Sequence, residues 1–444
     1  MFGKSALLRS LSPLQSGGAE LRRFFTASGL VPPFGGIYYL CATKRLGIMA
    51  ENANGYRRGD TYQCGMAESR EDEVSPAASL LYASPSSSVA MPALRPAPFA
   101  GPLGRERFTF IDLFAGIGGF RLGLQQAGGR CVFSSEWDRY AQQTYRANFG
   151  ELPYGDITQE ETKGKVPAGY DVLAAGFPCQ PFSISGHMRG FEDTRGTLVY
   201  EVFDIAQRTQ PRIVLLENVK HLKYHDKGHT LHVITESLRG LGYGVSWGVL
   251  NASDFGVPQN RERIIIVGIR GGGSFDFSRL LGDGRKPTLR DFLESDGPFE
   301  YLDEPYTLLS ETRRQPSGLI FAGFRNKKLR KRGILPGTEH LSRVHKQPNR
   351  IYDAEGVHPA LPSQETSGRF WILVDGRVRK LTIAECYRIM GFPNGFLREV
   401  PLAEQYREVG NSICVPMVAV IGQELLRQGW IEEKVIGGLK IYGC

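Results

Sequence analysis

The sequence predicts a doubly wound α/β fold with a smaller, irregular second domain, and three observations predict it. Six short apolar runs, at residues 108–114, 131–135, 172–175, 213–216, 245–250 and 264–269, are separated by helix-length segments. Runs so nearly continuous in apolar residues are buried on both faces, as strands of a parallel sheet covered by helices are. The first run leads into a glycine-rich turn, DLFAGIGGF at residues 112–120, with a helix opening near Phe120. After Arg270 the alternation stops, and residues 275–375 are rich in Gly, Pro and Arg.

Element by element, the reading gives three parts. Residues 1–104 are a disordered or leader extension, dominated by Ser, Ala, Pro and Gly in stretches such as 75–102. Its Lys4, Arg9, Arg22 and Arg23, with Glu20 the only acid in the first thirty residues, have the character of an organelle transit peptide. An unstructured leader, or a true start at Met49, Met66 or Met91, accounts for the same composition. Residues 105–272 form the large domain, completed by 405–435, and residues 273–404 the small one. The segment Val415–Arg427, strongly apolar on one face, is expected to return to the large domain.

Composition narrows the function. With 444 residues, 41% hydrophobic and 23% charged, the chain is neither wholly disordered nor fibrous. No apolar run reaches the ~18 residues of a membrane-spanning helix, so no membrane partner is expected. A net charge of +8 suits a polyanion. Seven scattered cysteines without a CxxC pair argue against a disulfide framework or zinc ribbon and for a reducing compartment. His221, His225, His229 and His232 recur at near-helical spacing, but Asp226, Lys227 and Gly228 break the helix between them, and no metal is expected.

Four motifs carry chemistry. Gly116, Gly118 and Gly119 let the backbone turn and approach a ligand closely. Glu136, 17 residues beyond Gly119 at the end of the second strand, is placed for ribose hydroxyls. Trp137 is placed to stack on a purine, and Asp156, expected to close the third strand region, to meet its amino group. Together they indicate a nucleoside-bearing cofactor; nicotinamide, flavin or a purely structural turn are the alternatives, and the missing GxGxxG register speaks against nicotinamide. In GFPCQPFS, residues 176–183, Cys179 stands in a proline-stiffened loop at the carboxyl edge of the sheet, where a stabilised thiolate serves as nucleophile and a buried small hydrophobe would be poorly placed. Glu217, in Glu217-Asn218-Val219, points into the same crevice unless it is a helix N-cap. In QNRER, residues 259–263, Arg261 and Arg263 face one side of an extended segment, able to grip a phosphate, a base carbonyl or the glutamate itself.

In order and spacing these motifs resemble those of the DNA (cytosine-5) methyltransferases of the bacterial restriction-modification type, over roughly residues 107–430. The resemblance extends to RKLT at 379–382, MGFP at 390–393 and GNS at 410–412. It implies a Rossmann-like sheet dependent on S-adenosyl-L-methionine, with a target-recognition domain in the 273–404 region. Cys179 would add to cytosine C6, Glu217 would hold or protonate N3, Arg263 would orient Glu217, and Arg261 would support the pocket. Phe114, Glu136, Trp137, Asp156, Pro178, Leu198 and Asn411 match cofactor-contacting positions of the family. The target base must leave the duplex, and the segment with Gln180, Ser183, Ser185 and Arg195 resembles the lid that closes over it.

The implied partner is double-stranded DNA. Between residues 313 and 350 there are eleven basic side chains and one acid, Glu339. Arg325, Lys327, Lys328, Arg330 and Arg343 are the expected DNA contacts among them. Ala360 stands where the family usually carries threonine. The resemblance also implies a monomeric cytoplasmic enzyme, with room for a companion restriction endonuclease at the same site. Rival readings are the branch of the family that methylates tRNA, a catalytically inactive DNA-binding module, and a nicotinamide oxidoreductase; Gln180 and the basic segment oppose the first, intact Cys179, Glu217, Arg261 and Arg263 the second.

Overall fold

The computed structural model describes residues 97–99, 106–178, 198–280, 282, 284, 286–327, 341–363 and 369–432. Every expected run is a strand. β1 (Phe108–Leu113), β2 (Gly129–Ser135), β3 (Val172–Gly176), β4 (Ile213–Val219) and β5 (Tyr243–Asn251) precede a two-residue β6 (Gln259–Asn260) and then β7 (Glu262–Arg270). Helices α1 (Gly119–Gln126), α2 (Arg139–Phe149), α3 (Glu160–Lys163), α4 (Val199–Thr209) and α5 (His229–Gly240) lie between them. β1 stops one residue short of the apolar run because Phe114 turns to a φ of +56°.

The central sheet has the order β2-β1-β3-β4-β7-β5. β1 pairs in parallel with β2 and β3, and β3 with β4. The expectation of a parallel sheet fails at β7, which runs antiparallel to both β4 and β5. The reason is chain length: residues 252–261 between β5 and β7 are too few for a crossover helix, which takes a dozen or more residues. Period-two alternation sends Phe108, Phe110, Ile265 and Val267 to one face and Ile111, Leu113, Val214 and Ile264 to the other. Each face has its own apolar core, as a sheet between helical layers requires.

Three more helices follow, α6 (Ile383–Arg388), α7 (Leu402–Asn411) and α8 (Val415–Arg427). As expected, α8 returns to the large domain and packs on α1. Glycines allow this close approach: a Cβ on Gly123 would lie 2.5 Å from Val418 Cβ, and one on Gly422 2.7 Å from Ala127 Cβ. The stretch Leu402–Arg427 is long and apolar enough to cross a membrane by length and composition, but most of it is buried in this fold. The helix is broken there, as Ser412 is extended (ψ 165°) between α7 and α8.

The region read as irregular contains a second sheet. β8 (Tyr306–Leu308), β9 (Phe321–Arg325), β10 (Arg350–Asp353), β11 (His358–Pro359), β12 (Trp371–Val374) and β13 (Arg377–Arg379) are strands of two to five residues. All but β11 form the order β13-β12-β10-β9-β8 over a small core of Leu302, Ala322, Ile351, Trp371 and Val378. Strands this short hold too few alternations to register as a period. β11 instead pairs in parallel with β6, tying residues 358–359 to the QNRER segment. Both sheets belong to one compact unit.

Candidate active site

The carboxyl ends of β1 to β4 open into a cavity of about 730 Å³, bounded opposite by the 361–363 and 407–413 segments. Phe114, Gly116, Gly119, Glu136, Trp137 and Asp156 line one part of it. Pro178, Leu198, Glu217, Arg261, Arg263 and Asn411 line the rest. The structure therefore brings together in one space all the residues expected to hold cofactor or act in catalysis, except Gly118 and Cys179. Gly118 does not reach the cavity; it supplies the left-handed turn (φ +87°) that starts α1 and lies against the Phe149 ring. Cys179, Gln180, Ser183, Ser185 and Arg195 lie outside the described residues, as do Lys328 and Arg330.

At the cofactor end, Glu136 Oε2 accepts from Gly116 N–H at 2.8 Å and Oε1 from Asp138 N–H at 2.8 Å. Burial pushes its carboxyl upward and these backbone donors pull it back. Each oxygen keeps a lone pair for a further donor. A Cβ on Gly116 would meet nothing within 4 Å, because it would project into the cavity. Trp137 is 72% exposed, with its indole free to stack. Asp138 caps α2 through Tyr140 and Ala141 N–H groups and pairs with Arg407 at 2.9 Å. Asp156 does not close a strand: only Tyr154 bridges to Ser135, and Asp156 sits in the turn beyond, accepting from Thr158 N–H. Asp112, first residue of the glycine motif, is wholly buried behind the loop, its carboxyl pushed up to about 8 by burial against the pull of Arg121.

At the other end stands an acid between two guanidinium groups. Glu217 remains within β4, which removes the N-cap alternative, and its Oε1 lies 2.8 Å from Arg263 Nε. Burial raises the Glu217 carboxyl above the ordinary carboxylate range, with the Arg263 and Arg261 charges opposing. Arg261 does something the sequence did not disclose. It is 2% exposed and donates to the Leu361, Gly410 and Ser412 carbonyls at 2.9, 2.8 and 2.7 Å. Burial and the Arg263 charge press its guanidinium down to about 9, with the Glu217 charge opposing. Arg263 faces Glu217, whereas Arg261 joins three chain segments around the cavity.

Other residues escaped sequence reasoning. Asn218 Nδ2 donates to Phe177 O at 2.9 Å, fixing the backbone two residues ahead of Cys179. Gln259 donates to Ile389 O and accepts from Leu361 N–H, so the first residue of QNRER is a brace. Glu408, on the cavity wall, accepts from Thr144 Oγ1 at 3.0 Å, and burial pushes its carboxyl up to about 7. Membership of the same motifs was the available signal for Asn218 and Gln259; Glu408 carried none.

Among the expected DNA contacts, Arg325 on β9 is engaged internally: it pairs with Glu304 and lies 5.5 Å from the Trp371 ring centroid. Lys327 reaches the same Glu304 at 3.2 Å while half exposed. Arg343 belongs to a short turn, Ser342–Val344. Ala360 falls between β11 and the Leu361 carbonyl held by Arg261.

This geometry is matched by known proteins. A family model for C-5 cytosine-specific DNA methylases covers residues 108–427. The chain is 44% identical over 340 residues to the type II methyltransferase M.HpaII of Haemophilus parainfluenzae, spanning 74% of this chain and 92% of that protein. It is 38% identical over 327 residues to the type II methyltransferase M.HhaI of Haemophilus parahaemolyticus, spanning 71% and 93%. Its fold is similar to the crystal structure of S. pombe Dnmt2 methyltransferase, with a TM-score of 0.52 at 20% identity over 72% of this chain and 99% of that one. The chain belongs to the C-5 cytosine-specific DNA methylase family. It is a DNA cytosine-5 methyltransferase of the restriction-modification type, acting on double-stranded DNA with S-adenosyl-L-methionine as methyl donor. The cavity fits that donor: a carboxylate with spare lone pairs, an exposed indole and a glycine cradle are what a ribose, a purine and a close backbone approach require.

Proposed function

We propose that the chain methylates C5 of a cytosine flipped out of a specific duplex sequence, through a covalent bond between Cys179 and C6. Cytosine C5 is too weak a nucleophile to attack a methyl group unaided. The Cys179 thiolate forms the S–C6 bond, and the electron pair of the 5,6 double bond moves toward C4 and N3, leaving C5 enamine-like. Glu217 meets the charge growing at N3 by donating its proton there. When bound, S-adenosylmethionine supplies an electrophilic methyl carbon. After methylation a base removes the C5 proton, the S–C6 bond breaks to release the Cys179 thiolate, the 5,6 double bond returns, and the N3 proton goes back to Glu217.

The observation that carries this reading is the Glu217–Arg263 pair in the same cavity as Glu136 and Trp137, beneath Pro178, the residue before Cys179. Arg263 occupies one glutamate oxygen and leaves the other for a base. Burial raises the Glu217 carboxyl against the pull of both arginines, which shifts it toward the protonated form that donation to N3 uses. Residues 273–404 are read as the target-recognition domain, with Lys327, Lys328, Arg330 and Arg343 as phosphate or base contacts and the 180–195 segment as lid. The chain is read as a monomer acting in the cytoplasm, with a companion restriction endonuclease at the same site; similarity to bacterial type II methyltransferases supports the cytoplasmic part of that reading.

The test is methyl transfer from labelled S-adenosylmethionine to unmethylated duplex DNA, with tRNA in parallel and Cys179→Ser as control. Label on cytosine C5 of DNA, absent with Cys179→Ser, is expected. A 5-fluorocytosine duplex should trap the wild-type chain covalently. Label in tRNA alone, or undiminished transfer by Cys179→Ser, refutes the proposal.

A further inference from the structure

We infer that Phe99, which precedes the region matched by the family, is a positioning residue for the cofactor loop; the inference rests on the reading of that loop as the S-adenosylmethionine site. The Phe99 N–H donates to Asn148 O at 2.9 Å, at the end of α2. Its ring is stacked with Phe396 at 6.1 Å between centroids and tilted against Phe149 at 6.5 Å. Phe149 in turn lies directly on Gly118: a Cβ there would fall 2.3 Å from Phe149 Cε2. Phe99 thus wedges the ring that backs the turn of the cofactor loop.

The loop needs such backing. Phe114, Gly116 and Gly118 all have positive φ, at +56°, +53° and +87°. A non-glycine residue in that region is strained by about 1–3 kcal/mol and persists only where its surroundings over-determine it. On the far side of the seam, Asn148 exchanges side-chain hydrogen bonds with Leu397 N–H and O at 2.8 and 2.9 Å, so α2 and the 396–398 segment are already joined. Phe99 fills the space beside that joint. Without its ring, Phe149 gains room to turn away from Gly118, and the loop relaxes from the conformation that presents Gly116 N–H to Glu136.

Calorimetric titration of the full-length chain with S-adenosylhomocysteine tests this. Phe99→Ala should weaken binding about fivefold, the loss expected of one buried ring pair, while Phe99→Leu, which keeps the space filled, stays near wild type. In steady state KM for S-adenosylmethionine should rise in parallel, with KM for DNA unchanged. Unchanged affinity in Phe99→Ala, or equal loss toward DNA and cofactor, overturns the role of Phe99 while leaving the cofactor site standing. Absence of binding by the wild-type chain refutes the cofactor reading itself, and the inference with it.

Discussion

Replacing Arg261 by methionine is predicted to unfold the walls of the active site before it alters any chemical step. The guanidinium donates to three carbonyls from three distant segments, at 2.7–2.9 Å, from a position 2% exposed. Hydrogen bonds involving a charged partner contribute about 1.5–3 kcal/mol each, and their loss leaves buried carbonyls unsatisfied. Against this stands relief of the desolvation of Arg261 and of its repulsion from Arg263. The net is a destabilisation of about 3–5 kcal/mol, the range seen when one partner of a buried charged network is removed. That is a large share of the roughly 5–15 kcal/mol available to a domain. Arg261→Lys keeps the charge but not the fork, and should cost about half as much. Urea unfolding followed by tryptophan fluorescence reads both: the midpoint should fall in the order wild type, Lys, Met. An Arg261→Met chain with an unshifted midpoint and only kcat reduced would refute the bracing role and restore a direct catalytic one.

Other perturbations separate the parts of the site. Glu408, raised to about 7 from 4.5, contributes stability that is full below pH 4.5 and is lost as pH rises through 7; comparing pH 5 with pH 8, Glu408→Gln should remove about 2.5 kcal/mol of that decline, seen by urea unfolding at each pH. Gly116→Ala and Gly118→Ala should fail differently. The first projects into the cavity and weakens S-adenosylhomocysteine binding with a stability loss of about 1 kcal/mol; the second meets Phe149 and costs about 2–4 kcal/mol by thermal unfolding. DNA affinity should fall with salt at a log–log slope of about −4.5, corresponding to ~5 phosphates. Arg325→Ala should leave that slope unchanged, because Arg325 is already paired with Glu304 over Trp371.

Long elements were legible because their patterns are sustained: all six strands of the central sheet follow from apolar runs, and α8 from its one-sided apolar face. The direction of β7 was not, since an apolar run carries no arrow; only the short 252–261 connection fixes it. The second sheet stayed hidden because its strands are two to five residues long. Within the site, residue types announced Glu136, Glu217 and Arg263, whose chemistry is specific to charge. They did not announce Arg261's division from Arg263, which depends on which carbonyls close over it, nor Phe99, whose contacts lie in a segment without period.

The placement of the two arginines also bears on the Glu217 carboxyl, which burial raises while both guanidinium charges lower it. Two free guanidinium groups beside one buried carboxylate would hold it ionised, since each opposite charge within a few ångströms lowers a carboxyl by one unit or more. Arg261 donates to the carbonyls of Leu361, Gly410 and Ser412, and Arg263 makes the ion pair with Glu217, Nε to Oε1 at 2.8 Å. Burial then outweighs attraction, and the carboxyl sits above its ordinary range. The free oxygen, Oε2, lies over Gly176, 3.5 Å from where a Cβ would stand, so the strand before Cys179 leaves it uncovered toward the cavity. Burial that favours the protonated form, together with orientation by Arg263, suits the donation to N3 proposed for Glu217. Arg263 therefore acts on Glu217 by direct contact, and Arg261 by its nearby charge and by the cavity walls it holds together.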